Sequence, residues 1–166
     1  MKEYSSDKIR NVAVVSHDGA GKTALVESLL LTSGAVDFVG KGQDNKHIMD
    51  FEPEEIKRNV TIQLGIAPCE WHDHKVNFID TPGYNEFHGE VRAALRACDG
   101  MLMVLSATSG VETDTVRAWD YAVELQMPRM AFINKMDVDG ADFFGTIERT
   151  VSYTHLRAHE TRRPLV

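Results

Sequence analysis

Residues 11–26 read NVAVVSHDGAGKTALV, and this stretch decides the fold. A short apolar run, typical of a strand buried in a parallel sheet, leads into a polar loop that contains two glycines. A lysine, a threonine and a run with apolar residues at helical spacing follow, and Gly34 stands where that helix should end. The order of strand, loop and helix indicates a phosphate-binding site.

The loop itself follows the phosphate-loop spacing G-x-x-x-x-G-K-S/T, with Ser16 in the place of the first glycine. Gly19 and Gly21 leave the backbone free to turn its N–H groups toward phosphates. Lys22 can neutralise phosphate charge, and Thr23 can offer its hydroxyl to Mg²⁺. The residues expected to bind a nucleoside triphosphate are Ser16, His17, Asp18, Gly19, Ala20, Gly21, Lys22 and Thr23.

Composition limits the class of protein. The 166 residues, of which 43% are hydrophobic, fit one globular domain of ordinary size. A formal charge of −7 argues against a general nucleic-acid binder, so no direct DNA binding is expected. No run has the length of a membrane span, and the charged N-terminus MKEYSSDKIR lacks the apolar core of a signal peptide. We expect a cytoplasmic protein that does not bind membranes.

The segment between the first helix and the next strand is long and polar, with Gly40, Gly42, Asp44 and Asn45 in its first half. It ends in DFEPEEIKRNVTI, where Pro53 can open a short helical turn. A solvated connection is one interpretation. The other is a switch segment, ordered when Thr61 at the entrance of the next strand reaches Mg²⁺ and the γ-phosphate.

Residues 61–71 alternate in polarity, which predicts a strand. One face of this strand carries Ile62, Leu64 and Ile66. Pro68 cannot donate to a ladder and therefore indicates an edge position. His72 and His74 lie in the turn before a second strand over residues 75–79; they could bind a metal, but an exposed turn is favoured because no third ligand has suitable spacing.

The tetrapeptide Asp80-Thr81-Pro82-Gly83 follows that second strand directly. A carboxylate at the end of a strand beside a phosphate loop is well placed to hold Mg²⁺, directly or through water. Gly83 permits close approach of the backbone to a γ-phosphate. The same letters also form ordinary turns, but the position after a strand favours a functional role for Asp80 and Gly83.

The second half of the chain alternates predicted helices with strands. Helices are expected near residues 87–98 and 111–127, and buried strands at residues 101–105 and 130–133. The last strand delivers Asn134-Lys135-Met136-Asp137 to the edge that holds the phosphate loop. Asp137 can accept hydrogen bonds from N1–H and the amine of guanine, and the stem of Lys135 can cover the ring, so GTP or GDP is the expected nucleotide.

Together, SHDGAGKT, RNVTI, DTPGY and NKMD resemble the GTP-binding domain of translational GTPases, most closely the elongation factor G family. The resemblance covers residues 8–149. It implies an α/β fold of the P-loop NTPase type, three layers with a mostly parallel sheet, and a GTP switch that acts on the ribosome. It also implies a monomer with Mg²⁺ ligands at Thr23, Thr61 and Asp80. The catalytic residues by this resemblance are Lys22, Thr61 and Gly83, with Tyr84 at the position of the family's catalytic histidine.

Two departures from the family pattern stand out. The family usually has histidine after DTPG, poised to orient the attacking water, whereas this chain has Tyr84, whose phenol is neutral near pH 7. The aspartate that usually precedes Ala-Gly-Lys is replaced by Gly19, with Asp18 one place earlier. Both changes resemble the elongation-factor-G-like paralogues of bacteria. We expect Tyr84 to slow hydrolysis without abolishing nucleotide binding.

The final stretch VSYTHLRAHETRRPLV departs from the preceding pattern, and residues 151–161 match the in-frame translation of a transposase-type sequencing adapter. We predict that the GTPase-type domain occupies residues 1–150 and that residues 151–166 are a non-native tail, although a genuine helix continuation is the alternative. The family places a further strand and a guanine-contacting loop beyond this point. The predicted sheet therefore lacks its last strand, which leaves residues 130–133 as a hydrophobic edge and the base pocket open on one side. The isolated chain should bind GTP poorly and aggregate.

Two other functions share these motifs. A ribosomal protection factor or peptide-release GTPase would differ in the domains that follow residue 150. A GTP-gated binding module with little hydrolysis would use the switch segment only to recruit a partner.

Overall fold

The computed structural model describes residues 2–37, 49, 53–58 and 61–160. Two predictions fall partly outside this range. Gly40, Gly42, Asp44 and Asn45 of the predicted switch segment lie outside the described residues, as do residues 161–166 of the predicted tail.

Within these residues, five strands and five α-helices follow one another in an α/β order. They are β1 (Ile9–Val15), α1 (Lys22–Thr32), α2 (Pro53–Arg58), β2 (Gly65–Trp71), β3 (His74–Asp80), α3 (His88–Ala97), β4 (Gly100–Ser106), α4 (Thr113–Glu124), β5 (Arg129–Asn134) and α5 (Phe143–Glu160). The strands form one sheet in the order β2-β3-β1-β4-β5. Only β2 runs antiparallel to its neighbour; β1, β3, β4 and β5 are parallel. The mostly parallel α/β fold is as predicted.

Helices cover both faces of the sheet because alternate strand residues point in opposite directions. Val14 and Val104 pack with Val26 and Leu30 of α1. The neighbouring strand residues face the other way, toward a second core cluster that is contributed by α3 and α4. The domain therefore has three layers, with the carboxyl ends of β1, β3, β4 and β5 meeting at one edge.

Helix α1 begins and ends as its sequence predicts. It starts at Lys22, directly after Gly21, and a left-handed Gly34 (φ 71°) follows its last turn. The N–H groups of Gly34 and Ala35 donate to the carbonyls of Leu31 and Leu30 at 3.0 and 2.9 Å. These bonds satisfy carbonyls that the helix end would leave unpaired.

The buried face of β2 is not the one that carries the large apolar residue Ile66. Ile66 is 67% exposed, whereas the small residues Ala67 and Cys69 are buried. Gly65 is buried as well, and a Cβ there would lie 2.8 Å from Cε of Met49. The small side chains face α1 and Met49 because only they leave room for close packing on this side of the sheet.

Strand β2 also begins later than predicted, at Gly65, so that Thr61 lies in irregular chain before the strand. Its edge position agrees with the prediction from Pro68. The turn to β3 consists of His72 and Asp73, which both have positive φ (43° and 62°). Such a turn matches the twist of an antiparallel hairpin.

Strand β5 forms where it was predicted, and it is the exposed apolar edge that the missing last strand implied, not the buried strand that its own apolar run indicated. Met130 is 69% and Phe132 40% exposed. The physical reason is its place in the sheet: within the described part of the chain, β5 pairs with β4 alone and forms the edge opposite β2. Its apolar side chains therefore face solvent.

Helix α5 crosses the predicted boundary at Thr150 and runs to Glu160. The hydroxyl of Tyr153 donates to Oδ1 of Asp120 in α4 at 3.0 Å. A continuous helix does not identify the origin of its residues, so the non-native tail stays a prediction. None of the helices in the described ranges is long and apolar enough to cross a membrane.

Candidate nucleotide site

The phosphate loop has the backbone conformation that its glycines were expected to allow. Gly19 and Gly21 have φ values of 71° and 91°, in the left-handed region that disfavours side chains. Gly21 is also sterically enclosed, since a Cβ there would lie 2.5 Å from Nδ2 of Asn134. The amide of Asn134 donates to the carbonyl of Ala20 at 3.0 Å. The predicted base-binding segment is thereby joined to the phosphate loop.

The polar side chains at the start of the loop are unusually well buried. Ser16 and Lys22 are 2% and 6% exposed. The hydroxyl of Ser16 donates to the carbonyl of His17 at 2.6 Å. A buried serine that bonds the loop backbone fixes the path of the chain at the place of the usual first glycine.

His17 connects the phosphate loop to the loop after β4. Its Nε2 lies 3.1 Å from Oγ of Ser109 and 3.4 Å from Oε1 of Glu112. Burial lowers the pKa of His17, although the charge of Glu112 acts in the opposite direction. Neither Ser109 nor Glu112 was predicted from the sequence, because both lie in a loop without a recognisable motif.

The three residues predicted to bind Mg²⁺ come together. Oγ1 of Thr23 donates to Oδ2 of Asp80 at 2.8 Å, and Oγ1 of Thr61 lies 3.3 Å from Oγ1 of Thr23. Two hydroxyls and one carboxylate form an all-oxygen set, which is the ligand chemistry that Mg²⁺ prefers. The residues present therefore fit this ion. Elsewhere in the described ranges, no three or more His, Cys, Asp or Glu side chains group in a way that could hold a metal.

The segment after β3 packs directly onto the phosphate loop. Thr81 is fully buried, and its hydroxyl donates to the carbonyl of Val14 at 2.8 Å. A Cβ on Gly83 would lie 2.7 Å from Nζ of Lys22 and 2.8 Å from N of Asp18. Only glycine permits this approach. The anchoring role of Thr81 was not predicted, although the residue lies within the motif that was recognised.

Tyr84 lies at the mouth of the site, 37% exposed. Hydrogen bonding toward the Asp18 carboxylate, followed by the charge of Asp18, is the largest cause of a raised pKa of Tyr84. The two residues by which the sequence departs from the family pattern therefore influence each other electrostatically. Nothing in the sequence indicated this pairing.

The other predicted residues of the base-binding segment are less enclosed by the protein than the phosphate loop. Lys135 has a positive φ of 61°, and Asp137 is exposed. Asn134, at the end of β5, is the member of the segment that contacts the phosphate loop. The amide of Ala107, after β4, donates to the carbonyl of Asn134 at 2.8 Å and fixes the end of the strand.

Glu55 of α2 is a further residue that the sequence did not reveal. It is 1% exposed, and its Oε1 accepts hydrogen bonds from the amides of Ile62 and Gln63 at 2.8 and 2.9 Å. These amides directly follow Thr61. The buried carboxylate thus holds the chain that carries the third predicted Mg²⁺ ligand, whereas its neighbour Glu54 is exposed.

A family comparison agrees with the geometry. Residues 7–163 match the family model described as the elongation factor Tu GTP binding domain. The match extends beyond Thr150, and the domain boundary there stays a prediction.

Curated relatives include elongation factor G of Thermotoga neapolitana, 42% identical over 153 residues, and elongation factor G of Thermotoga maritima, 41% identical over the same length. Each alignment covers 92% of this chain and 22% of the relative. A crystal structure of a Thermus thermophilus protein superimposes with a TM-score of 0.83 at 40% identity, over 87% of this chain and 22% of that one. The chain therefore spans about a fifth of the length of these relatives.

Proposed function

Because this chain belongs to the family of the elongation factor Tu GTP binding domain, we propose that it is the GTP-binding and GTP-hydrolysing part of an elongation-factor-G-like translation factor. The parent protein would act on the ribosome in the cytoplasm, as a monomer. The similarity to elongation factor G of two Thermotoga species supports this choice among translational GTPases.

The observation that carries the proposal is the meeting of residues that are far apart in sequence. Oγ1 of Thr23 lies within hydrogen-bonding distance of both Thr61 and Asp80. Asn134 reaches the phosphate loop at Ala20 from the end of β5. These contacts support a nucleotide site at one edge of the sheet, where nucleotides bind in α/β proteins of this type.

The phosphate end of the site would be held by groups of this chain alone. The backbone N–H groups of the loop and Nζ of Lys22 would bind the β- and γ-phosphates. Thr23, Asp80 and Thr61 would hold Mg²⁺, which when bound neutralises charge on the phosphate oxygens. Gly83 lies beside Lys22 and can bring its N–H group to the γ-phosphate without obstruction by a side chain.

The base end of the site would select guanine. We propose that the carboxylate of Asp137 accepts hydrogen bonds from N1–H and the exocyclic amine, which adenine cannot offer in that arrangement. The stem of Lys135 would cover one face of the ring. Asn134 would fix this segment against the phosphate loop through its bond to Ala20.

Hydrolysis in the parent is proposed to be slow or differently timed. A neutral phenol at position 84 cannot take the place of an imidazole that orients the attacking water. Tyr84→His tests this, and an unchanged ribosome-stimulated rate would show that Tyr84 does not limit turnover.

Single-turnover GTP hydrolysis by the full-length parent, with and without ribosomes, tests the function itself. We expect stimulation by ribosomes, dependence on Mg²⁺ and loss of activity in Thr23→Ala. Thr32→Ala at the exposed end of α1 is the matched control, because its hydroxyl only donates to the carbonyl of Ser28. Hydrolysis that is insensitive to both Thr23→Ala and ribosomes would overturn the proposal.

The extent of the natural sequence is a separate proposal. We propose that the natural sequence ends near Thr150 and that residues 151–166 derive from an adapter. Reading the source DNA through the codon of Thr150 and beyond tests this, and uninterrupted coding similarity to elongation factor G past that codon would contradict it.

A further inference from the structure

The imidazole of His17 joins the phosphate loop to the loop that precedes α4. Its Nε2 lies 3.1 Å from Oγ of Ser109 and 3.4 Å from Oε1 of Glu112. The side chain of His17 is 6% exposed, whereas that of Glu112 is 45% exposed. A buried ring thus spans two loops, with a half-exposed carboxylate as one of its neighbours.

These contacts indicate which ring nitrogen of neutral His17 carries the proton. An ionised carboxylate can only accept hydrogen bonds, so we assign the proton to Nε2, which faces Glu112. The other nitrogen, Nδ1, is buried and has no hydrogen-bond partner among the described residues. A second proton can therefore enter at Nδ1 without disturbing the contacts of Nε2, and the charges around the ring decide whether it does.

The surroundings of His17 oppose a second proton in the absence of nucleotide. Burial is the largest effect, and it lowers the pKa of His17. Lys22, the first residue of α1, and Lys135, directly after β5, act in the same direction. The carboxylates of Glu112 and Asp18 act in the opposite direction. The ring is therefore neutral near pH 7.

Both lysines that oppose the imidazolium belong to the proposed nucleotide site. Lys22 would bind the phosphates, and the stem of Lys135 would cover the base. Because Lys22 is only 6% exposed, solvent screens its charge weakly, and phosphates bound there would offset that charge at His17. A nucleoside diphosphate keeps a net negative charge even with Mg²⁺ bound, so its arrival shifts the balance toward the imidazolium.

We propose that His17 is a positioning residue that takes up one proton from solvent when nucleotide binds and, as an imidazolium, holds the phosphate loop more firmly against Glu112. The proton enters at Nδ1, and the Nε2–H group keeps its place beside the carboxylate, where the attraction becomes charge-assisted. The inference rests on the proposed function, because it assumes that the site binds guanine nucleotides.

The test is calorimetric titration of the full-length parent with GDP and Mg²⁺ near pH 7, in two buffers that differ in their enthalpy of ionisation. The difference between the two heats gives the number of protons taken up. In His17→Gln the amide nitrogen can replace the Nε2–H donor but does not titrate. We expect this variant to take up fewer protons than the unmodified protein, by up to about one per GDP. Protons exchanged by GDP itself are common to both proteins and cancel.

The same proton makes the affinity for GDP depend on pH. A group whose pKa is higher in the complex favours binding below its pKa in the free protein, and this gain is lost as pH rises through its pKa in the complex. The dissociation constant should therefore rise with pH more steeply in the unmodified protein than in His17→Gln, by up to about tenfold per pH unit. Glu112→Gln keeps an acceptor oxygen but removes the charge, so it should reduce both the slope and the proton uptake.

His74→Gln is the matched control, because His74 is exposed and its Nδ1 contacts the carbonyl of His72 in the hairpin turn. It should leave the proton uptake unchanged. His17→Ala lacks the donor, so it should bind GDP more weakly than His17→Gln at every pH. Equal proton uptake by the unmodified protein and His17→Gln, or equal affinity of His17→Gln and His17→Ala, would overturn the inference. Failure of the unmodified protein to bind GDP would instead refute the proposed function.

Discussion

The interaction of Tyr84 with Asp18 leads to a prediction about the pKa of the Tyr84 phenol. The hydrogen bond to Asp18, with a smaller effect from the charge of Glu86, raises the pKa of the Tyr84 phenol. Because the neutral phenol is the donor, the bond is present below the ordinary pKa of tyrosine and is lost as pH rises through the raised pKa. Asp18→Asn should therefore lower the pKa of Tyr84 toward its ordinary value.

Tyrosinate absorbance during an alkaline titration measures this pKa. The contribution of Tyr84 is isolated by subtracting the titration of Tyr84→Phe, made in the same background. Identical curves for Tyr84 in the unmodified chain and in Asp18→Asn would show that the two side chains do not interact in solution.

Gly21 carries a second residue-scale prediction. Alanine at this position meets both a positive φ of 91° and the amide of Asn134, 2.5 Å from the new Cβ. We expect Gly21→Ala to lower the free energy of unfolding by about 1–3 kcal/mol, the usual cost of a strained backbone, and to weaken GDP binding.

Two other glycines supply the comparison. Gly19→Ala adds positive φ strain without a clash, because no atom lies within 4 Å of its Cβ position. Gly89→Ala in α3 adds neither, so its free energy of unfolding should rise by up to about 1 kcal/mol. Urea unfolding of the three variants measures the order of their free energies of unfolding. A Gly21→Ala protein as stable as Gly89→Ala would disprove the steric argument.

The roles of single residues were predictable where the chemistry of binding restricts which residue types can stand at a position. Phosphate and metal binding need a lysine, hydroxyls and a carboxylate at fixed spacings, and Thr23 and Asp80 lie together as that pattern implies. The contacts of His17 and Tyr84 were not predictable, because each depends on a partner far away in the sequence. No local pattern encodes such a pair.

Helix α2 holds the segment before β2 that carries Thr61. Glu55 accepts hydrogen bonds from the amides of Ile62 and Gln63 while almost fully buried. Glu55→Ala would leave both donors without this acceptor, at a cost of about 1–3 kcal/mol for each buried group. We expect hydrogen exchange of the two amides to accelerate by at least about tenfold, the equivalent of about 1.4 kcal/mol.

Glu55→Gln is the conservative control, because the amide oxygen of glutamine can still accept a hydrogen bond. It should restore most of the protection of Ile62 and Gln63. If exchange in Glu55→Ala matches that of the unmodified chain, the carboxylate does not hold this segment. If Glu55→Gln exchanges as fast as Glu55→Ala, the negative charge and not the acceptor oxygen is what matters.

At the level of elements, the five strands and helices α1, α3 and α4 followed from hydrophobic periodicity and α2 from Pro53, whereas α5 was not predicted as an element. The face of β2 did not follow from periodicity, because Ile66 is larger and more apolar than its neighbours and yet is exposed. The limited space between the sheet, α1 and Met49 decides that face in favour of small residues. Periodicity reports apolar character and contains no information on available volume.

At the scale of the whole molecule, the two edges of the sheet differ in their exposure. Strand β2 ends the sheet on one side and contains Pro68, which cannot donate to another strand. Strand β5 ends it on the other side with exposed Met130 and Phe132. The sequence predicted an apolar edge here, since the family has a further strand, but the apolar letters of β5 alone indicated a buried strand. The burial of a strand depends on neighbours that its own sequence does not specify.

The exposed edge at β5 predicts self-association of the isolated chain. An unpaired strand with apolar side chains is a template for pairing with another chain, and a lysine on such a strand opposes that pairing. Met130, 69% exposed, is therefore the site to change. Met130→Lys should raise the protein concentration at which light scattering begins by about threefold or more.

Met136→Lys is the matched control, since Met136 is 51% exposed but lies after the end of β5. If both variants improve solubility equally, net charge and not the strand edge is responsible. An unmodified chain that stays monomeric at high concentration, with submicromolar affinity for GDP, would show that neither the edge nor the open side of the base site impairs it.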